Sequence, residues 1–203
     1  MDNKDLVSKY ENTDGIVNSV EKLTEMMAFK NRELYLDDVN RDTADAFNTF
    51  IRIWNKLDTE SHIPIDEREP IKIYINSDSG DLAAAFSIID TIKMSKTPVW
   101  TINTGCAYSS GLEIFIVGHY RIAYPFSSFL FHEGYTGFGG DANKFKNYSH
   151  FYERLLEMSK QNILDHSTLT EEEYEKVKKD DWWFLAKDAY DLGMCDKIAE
   201  ELV

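Results

Sequence analysis

Cysteine, proline and glycine are scarce in this sequence. Of its 203 residues, 2 are Cys, 4 are Pro and 10 are Gly. Two cysteines without CxxC or Cys/His spacing predict neither a disulfide framework nor a zinc site, and no metal or cofactor is expected. Because there is also no repeat or low-complexity linker, a second compact domain has no obvious place to begin. Stability must therefore come from packing.

Positive charge and long hydrophobic runs are also lacking. The chain has 22 Lys and Arg against 36 Asp and Glu, a formal net charge of −14 with no basic patch, so nucleic-acid binding is not expected. The most apolar stretch, residues 112–117, is interrupted by Glu113 and is too short to cross a bilayer, and the polar N-terminus has no signal-peptide pattern. We expect a cytoplasmic protein that binds neither nucleic acid nor membrane.

Strand and helix patterns alternate along the chain. Five short segments rich in β-branched and aromatic residues predict strands: 32–36, 71–75, 98–103, 121–124 and 128–131. Asp42 is predicted to cap a helix that ends in a loop at residues 58–70, and Thr170 and Glu173 form a capping-box pattern. Asp141 opens an unusually long helix, which we expect to project and mediate assembly. The alternation predicts a layered α/β fold.

The first 31 residues differ from the rest. Residues 1–14 are polar and predict a loose tail, while apolar residues at helical spacing between positions 17 and 27 predict a short amphipathic helix. We therefore treat residues 1–31 as an N-terminal segment and residues 32–203 as one domain.

Ser109 lies between a predicted strand and a predicted helix, in the segment Gly-Cys-Ala-Tyr-Ser-Ser-Gly at residues 105–111. Backbone N–H groups and the positive end of the helix dipole converge there, which is what the oxyanion of an acyl transfer needs. A serine before a helix is more commonly a cap, and the spacing is not specific. Taken alone, this segment favours capping.

A histidine and two aspartates provide two further weak signals. His132 ends a predicted strand beside a glycine-rich loop, where a neutral imidazole can act as a general base, although a surface histidine is the simpler interpretation. Asp180 and Asp181 precede three aromatic residues, where a carboxylate could orient an imidazolium. Capping of a helix that starts near Leu185 is the favoured interpretation for these aspartates alone.

Taken together, and in the order Ser, His, Asp, these segments resemble the Clp protease proteolytic subunit family, a relative of the crotonase fold. The resemblance runs from about residue 32 to the C-terminus. Five matching segments carry it, at residues 73–77, 101–111, 128–132, 138–142 and 181–196. It implies a layered α/β fold of repeated β-β-α units with a projecting handle helix.

The resemblance also implies roles for five residues. Ser109 falls on the nucleophile, His132 on the base and Asp181 on the aspartate that fixes the imidazole tautomer. The backbone N–H groups of Gly80 and Ser110 fall on the oxyanion hole. The chain is thereby expected to be a serine endopeptidase that works through an acyl-enzyme and needs no cofactor.

The implied assembly is a chamber of heptameric rings stacked as a tetradecamer, fed with protein substrate by an ATP-dependent AAA+ unfoldase. Two alternatives stay open: a catalytically weak or inert ring subunit with a structural role, and an acyl-CoA enzyme of the wider crotonase class. The presence of all three triad residue types argues against the second alternative.

The chain departs from the family pattern in a longer loop at residues 58–70, in the segment before residue 32, and at two places that bear on the site and the ring contact. It has Asp78, Ser79 and Gly80 where relatives usually have Pro-Gly-Gly, and we expect the Cβ of Ser79 to restrict φ and alter the oxyanion turn. Asp180 stands where many relatives carry an arginine that bridges the two stacked rings, which reverses the charge of that contact.

Overall fold

The computed structural model describes residues 23–203 except 25, 135, 136, 138 and 139. The predicted tail at residues 1–14 and the first part of the predicted N-terminal helix lie outside the described residues, as do Phe138 and Gly139 of the resemblance. Residues 23, 24 and 26–31 are helical, which agrees with the later part of that predicted helix.

Seven strands alternate with helices along the chain. The strands are β1 (Glu33–Leu36), β2 (Ile71–Ser77), β3 (Val99–Tyr108), β4 (Tyr120–Ala123), β5 (Ser128–Phe131), β6 (Trp182–Leu185) and β7 (Lys197–Ile198). The helices are α1 (Arg41–Glu60), α2 (Leu82–Met94), α3 (Ser110–Phe115), α4 (Ala142–Asp165), α5 (Glu171–Val177) and α6 (Ala186–Asp191), with a 3-10 turn at Ile65–Glu67.

The strands form one mostly parallel sheet. Its main path runs β1-β2-β3-β4-β7, and every pair along it is parallel. β3 is ten residues long, so its first half pairs with β4 and its last three residues pair with β5. β5 in turn pairs antiparallel with β6. A mostly parallel sheet with connecting helices confirms the predicted layered α/β fold.

The larger hydrophobic core lies on one face of this sheet, and a small cluster of Ile102, Ile122 and Ala199 is separate from it. The alternate residues Ile71, Ile73 and Ile75 of β2 are fully buried, as the two-residue period of a strand requires. They belong to a single cluster that also takes in the buried faces of α1, α2 and α3. The packing of these helices on the sheet therefore fixes the strand ends beside α3.

Three boundaries differ from the sequence prediction. Asn40, not Asp42, caps α1, since its side chain accepts from the Thr43 N–H at 2.9 Å. The helix continues to Glu60, so the predicted loop begins three residues later. Residues 182–185, expected before a helix, form strand β6. The capping box of Thr170 and the cap at Asp141 are confirmed.

α4 is the longest helix among residues that the structure describes. Its 24 residues span about 36 Å at 1.5 Å per residue. Its buried residues, Ser159, Asn162 and Ile163, all lie in the last third, so the first two thirds extend beyond the core as predicted. Within the described residues, no helix combines the length and apolarity needed to cross a membrane.

A buried ion pair anchors the start of β1. The Arg32 guanidinium donates to both carboxylate oxygens of Asp58, at 2.8 and 2.5 Å, and Thr97 Oγ1 donates to the same carboxylate at 2.7 Å. The Asp58 side chain is 1% exposed. Burial acts to raise the pKa of Asp58, but the hydrogen bonds from Arg32 and Thr97 and the charges of Arg32 and Arg68 outweigh it, so the pKa is lowered.

Replacement of Asp58 by Asn should lower the free energy of unfolding by about 3 kcal/mol at pH 7, because Arg32, whose side chain is only 17% exposed, loses its counter-charge. Because the pKa of Asp58 is lower in the folded protein than in the unfolded chain, its carboxylate stabilises the fold at pH values above the unfolded pKa, about 3.9 for Asp. This stabilisation is lost as the pH falls through the pKa of the folded protein. The difference in the free energy of unfolding between wild type and Asp58→Asn should therefore shrink below about pH 4. Urea unfolding at several pH values measures it.

Asp45→Asn is the matched control for this variant. Asp45 lies on the same helix and pairs with Arg41 at 3.9 Å, with both side chains largely exposed, so its loss should change the stability by less than about 0.5 kcal/mol. Equal losses in the two variants would show that the Asp58 pair does not anchor β1.

Candidate active site

Ser109 has a backbone conformation that serine rarely adopts. Its φ is 53° and its ψ is −118°, and it is one of three non-glycine residues with positive φ among those described. Holding such a conformation costs about 1–3 kcal/mol. The Ser109 hydroxyl makes no capping hydrogen bond to α3. The capping interpretation of this residue is therefore wrong.

The surroundings of Ser109 hold this conformation in place. Its N–H donates to the Leu130 carbonyl at 2.8 Å, which ties the end of β3 to β5. All six residues of α3 are buried. A Cβ added to Gly111 would lie 3.3 Å from the Cβ of Ser77, so α3 packs closely on the end of β2. Packing of this kind is what sustains a strained residue at a functional site.

His132 and Asp181 face each other across two antiparallel strands. The register of β5 and β6 pairs Phe131 with Trp182, and His132 and Asp181 form the next pair along that ladder. Nδ1 of His132 lies 3.6 Å from Oδ1 of Asp181, beyond hydrogen-bond length but within the range of an ion pair. The His132 side chain is 23% exposed, so it is partly buried at the end of β5.

Neither aspartate caps the helix that follows. The strand β6 separates Asp180 and Asp181 from α6, whose first turn is closed by the Asp188 carboxylate accepting from the Leu185 N–H at 3.0 Å. The capping interpretation of Asp180 and Asp181 is wrong for this reason. Asp181 is thereby left beside His132.

Gly80 lies at a point where two backbones meet. It forms a parallel bridge with Val39, and the neighbouring Asp81 N–H donates to the Val39 carbonyl at 2.7 Å. A Cβ added to Gly80 would lie 2.3 Å from the Val39 Cβ and 2.4 Å from its carbonyl oxygen. Because no side chain fits there, this glycine is required by the turn.

The serine that precedes Gly80 is accommodated without backbone strain. The described non-glycine residues with positive φ are Arg32, His62 and Ser109, so Ser79 does not occupy the left-handed region. The Ser79 carbonyl accepts from Ser77 Oγ at 3.3 Å. Ser79 therefore fits its turn without left-handed backbone.

Four of the five expected site residues line one cleft. Ser109, Ser110, His132 and Gly80 border a cavity of about 520 Å³, with the inner side of α4 as its opposite wall. Asp181 lies behind His132, outside this lining. A cavity of about 600 Å³ between α1 and α2 is slightly larger, but it contains none of these residues. The 520 Å³ cavity, called the cleft below, is therefore the candidate active site.

Cys106 does not compete with Ser109 as a nucleophile. Its Sγ lies 3.4 Å from Asn76 Oδ1 and 3.3 Å from Asp78 Oδ1. Burial, together with the hydrogen bond and charge of Asp78, raises the pKa of the thiol to about 11. The thiol is therefore protonated near neutral pH and is a poor nucleophile.

Two charged contacts that sequence reasoning missed hold the chain after His132. Glu133 Oε1 lies 3.7 Å from Lys178 Nζ, and Lys178 also pairs with Glu175 at 2.8 Å. Tyr152 Oη donates to the Glu133 carbonyl at 3.3 Å. These contacts tie the end of β5 to α4 and α5. No spacing along the sequence indicates the contacts of Glu133 with Lys178 and Tyr152, because these partners lie far apart in the chain.

Glu113 is a second residue that sequence reasoning missed. It was noted only as a break in an apolar run, yet it is 3% exposed and lines the cleft. Burial raises the pKa of its carboxyl to about 7, against the lowering effect of hydrogen bonds from Asn162 and Ser159. Glu113 lies four residues after Ser109 in a predicted helix, and residues at this spacing lie on the same helix face. This spacing is the sequence signal that could have placed Glu113 near Ser109.

Comparison with known proteins gives one family. A family model described as Clp protease matches residues 27–202. The ATP-dependent Clp protease proteolytic subunit 2 of Treponema denticola is 31% identical over 134 residues, covering 65% of this chain and 67% of the relative. Subunit 2 of Borreliella burgdorferi is 27% identical over 182 residues, 86% of this chain and 85% of the relative. Subunit 3 of Rhizobium etli is 27% identical over 183 residues, 87% and 88% of the two chains.

Replacement of Gly80 by Ala should lower the free energy of unfolding by about 1–3 kcal/mol, because the new Cβ would overlap Val39. Gly137→Ala is the matched control, since a Cβ at that position has no atom within 4 Å. Urea unfolding of the two variants compares the two sites. Equal stability of both variants would contradict the close approach of Gly80 to Val39.

Proposed function

The chain belongs to the Clp protease family as a Clp-type proteolytic subunit, and from this premise we propose that it is a serine endopeptidase. One observation carries the proposal. Ser109, His132 and Asp181 lie at the ends of three adjacent strands, with Ser109 in a strained conformation and its hydroxyl free of a capping bond. That arrangement brings the three residue types of a triad to one edge of the sheet, which supports the proposal.

In the first half of the proposed reaction, His132 accepts the proton of the Ser109 hydroxyl as Oγ attacks the peptide carbonyl carbon. The negative charge that forms on the carbonyl oxygen is held by the backbone N–H groups of Gly80 and Ser110, each of which contributes roughly 3 kcal/mol to lowering the barrier. His132 then gives its proton to the leaving amine, and an acyl-enzyme on Ser109 remains.

In the second half, water attacks the acyl-enzyme with His132 again as the base, and the released acid restores Ser109. Asp181 holds the imidazole so that Nδ1 carries the proton. For this role the present 3.6 Å separation of Nδ1 and Oδ1 must shorten to about 3 Å, as apo sites often do when substrate binds. These steps use no metal or cofactor.

The proposed assembly is a pair of stacked heptameric rings in which residues 32–203 form the peptidase domain and residues 1–31 precede it. Large exposed apolar side chains support burial against other subunits. They include Phe126, Trp183, Leu185 and, on the first turns of α4, Phe145. The relatives' names include "ATP-dependent", which supports an AAA+ unfoldase as partner. The family and two free cysteines fit a cytoplasmic location.

A fluorophosphonate probe should label wild-type protein at Ser109, and Ser109→Ala should lose both label and peptide hydrolysis. Asp181→Asn should keep its fold but lower turnover about 10⁴-fold, because the imidazole loses the carboxylate that sets its tautomer. Mass spectrometry locates the label, and a short fluorogenic peptide measures turnover.

Asp180→Asn is the matched control for Asp181→Asn, since it removes the same charge from the adjacent residue. It should hydrolyse the short peptide at the wild-type rate. An assembled ring that neither takes up the fluorophosphonate label nor hydrolyses peptide would overturn the enzyme proposal. It would instead indicate an inert ring subunit. Full turnover in Asp181→Asn would assign the orienting role to another acid.

The proposed contact between rings can be tested at the start of α4. Phe145→Glu should halve the mass of the assembly, because a charge replaces an apolar side chain that we place between the rings. Asn147→Glu adds the same charge two residues away and should leave the mass unchanged. Light scattering measures both. A Phe145→Glu assembly of wild-type mass would contradict ring contact through this residue.

A further inference from the structure

The floor of the cleft carries a buried acid. Glu113 lies one helical turn below Ser109 on α3, where its N–H donates to the Ser109 carbonyl at 3.2 Å. Residues four apart on a helix lie on the same face, about 6 Å apart along the axis. A group bound at Ser109 therefore has Glu113 below it.

The partners of this carboxyl are all neutral. Oε1 of Glu113 accepts from Ser159 Oγ, and Oε2 accepts from Asn162 Nδ2 at 2.6 Å. Among the described residues, no ion pair includes Glu113, and the raised pKa has burial as its first cause. Each oxygen keeps a lone pair that these contacts leave unused. A buried carboxyl without a counter-charge avoids the cost of burial by holding its proton, and a cation that reaches it favours the ionised form.

Two further oxygens near this acid lack hydrogen-bond donors. Ser110 is 2% exposed, lines the cleft next to Ser109, and its Oγ has no hydrogen-bond partner. Oδ1 of Asn162, on the residue that donates to Glu113, is likewise buried without a partner. Ser110 Oγ and Asn162 Oδ1 are therefore acceptors that the fold leaves unused, and an ammonium or guanidinium group supplies three to five donors at once.

Part of the cleft wall is apolar. Phe131 at the end of β5, Leu155 and Leu156 on α4 and Leu82 at the start of α2 line the same cleft. Apolar walls leading to a carboxyl suit a side chain with a methylene stem and a cationic end. Lysine and arginine have this form and are long enough to span one helical turn.

Resting on the serine endopeptidase function proposed above, we propose that the cleft selects lysine or arginine as the residue whose carbonyl Ser109 attacks. The methylene stem packs between Phe131 and the leucines of α4, and the cationic end pairs with the Glu113 carboxylate and takes the free acceptors around it. Glu113 is in this way the residue that determines substrate specificity.

Two peptides that differ only at the attacked residue test this assignment. One carries lysine and the other norleucine, which has the same stem without the ammonium group. Wild-type protein should cleave the lysine peptide with a kcat/KM about 100-fold higher, the size of effect seen when a buried charge pair is made or broken. Glu113→Gln should bring this ratio close to one while Ser109 remains labelled by the fluorophosphonate probe.

Glu153→Gln is the matched control. Glu153 lies on an exposed part of α4 and pairs with His150 at 3.3 Å, away from the cleft, so the variant should keep the wild-type ratio. A purely structural Glu113 would instead change stability in Glu113→Gln and leave the ratio as in wild type, which would overturn the proposal.

The outcomes separate the two proposals. Cleavage of the norleucine peptide as fast as the lysine peptide by wild type overturns the specificity proposal and leaves the endopeptidase function intact. Absence of both cleavage and Ser109 labelling overturns the endopeptidase function itself. If Glu113→Gln does not fold, the test rests on the ratio of kcat/KM for the lysine peptide to that for the norleucine peptide in wild-type protein. A ratio of tenfold or more supports the proposal, and a smaller ratio overturns it.

Discussion

The hydrogen bonds that β5 makes with β3 on one side and β6 on the other fix the candidate site. Leu130 holds the N–H of Ser109 through its carbonyl, and its neighbours pair with β6. The ends of the three strands thus meet at one edge of the sheet. A one-residue shift of β6 against β5 would turn Asp181 to the other face, since side chains alternate along a strand.

Strain at Ser109 is sustained by the same framework. A positive φ at a residue with a Cβ is unfavourable, and the chain would relax it if the end of β3 were free. It is not free, because β3 is bonded to β2 and β5 and because α3 is wholly buried beneath it. The core on that face of the sheet therefore supports the strained backbone of Ser109.

Much of the fold could be predicted from local patterns, and the site only in part. The capping box at Thr170 and the long helix after Asp141 follow from residues close together in the chain. β6 could not be predicted, since its strand character comes from pairing with β5 and its sequence Trp-Trp-Phe-Leu shows no polar alternation. The need for glycine at position 80 depends on Val39, some forty residues earlier.

The short helix α3 links the two proposed properties of the cleft. Ser109 immediately precedes its first turn and Glu113 lies within that turn, so any movement of α3 displaces the nucleophile and the buried acid together. Ser159 and Asn162 of α4 hold that acid by hydrogen bonds. Because α4 also extends to where we place the contact between rings, a change in assembly that moved α4 would reach Ser109 through Glu113. In the proposed enzyme, α3 therefore couples the selection of the substrate side chain to the geometry of the nucleophile.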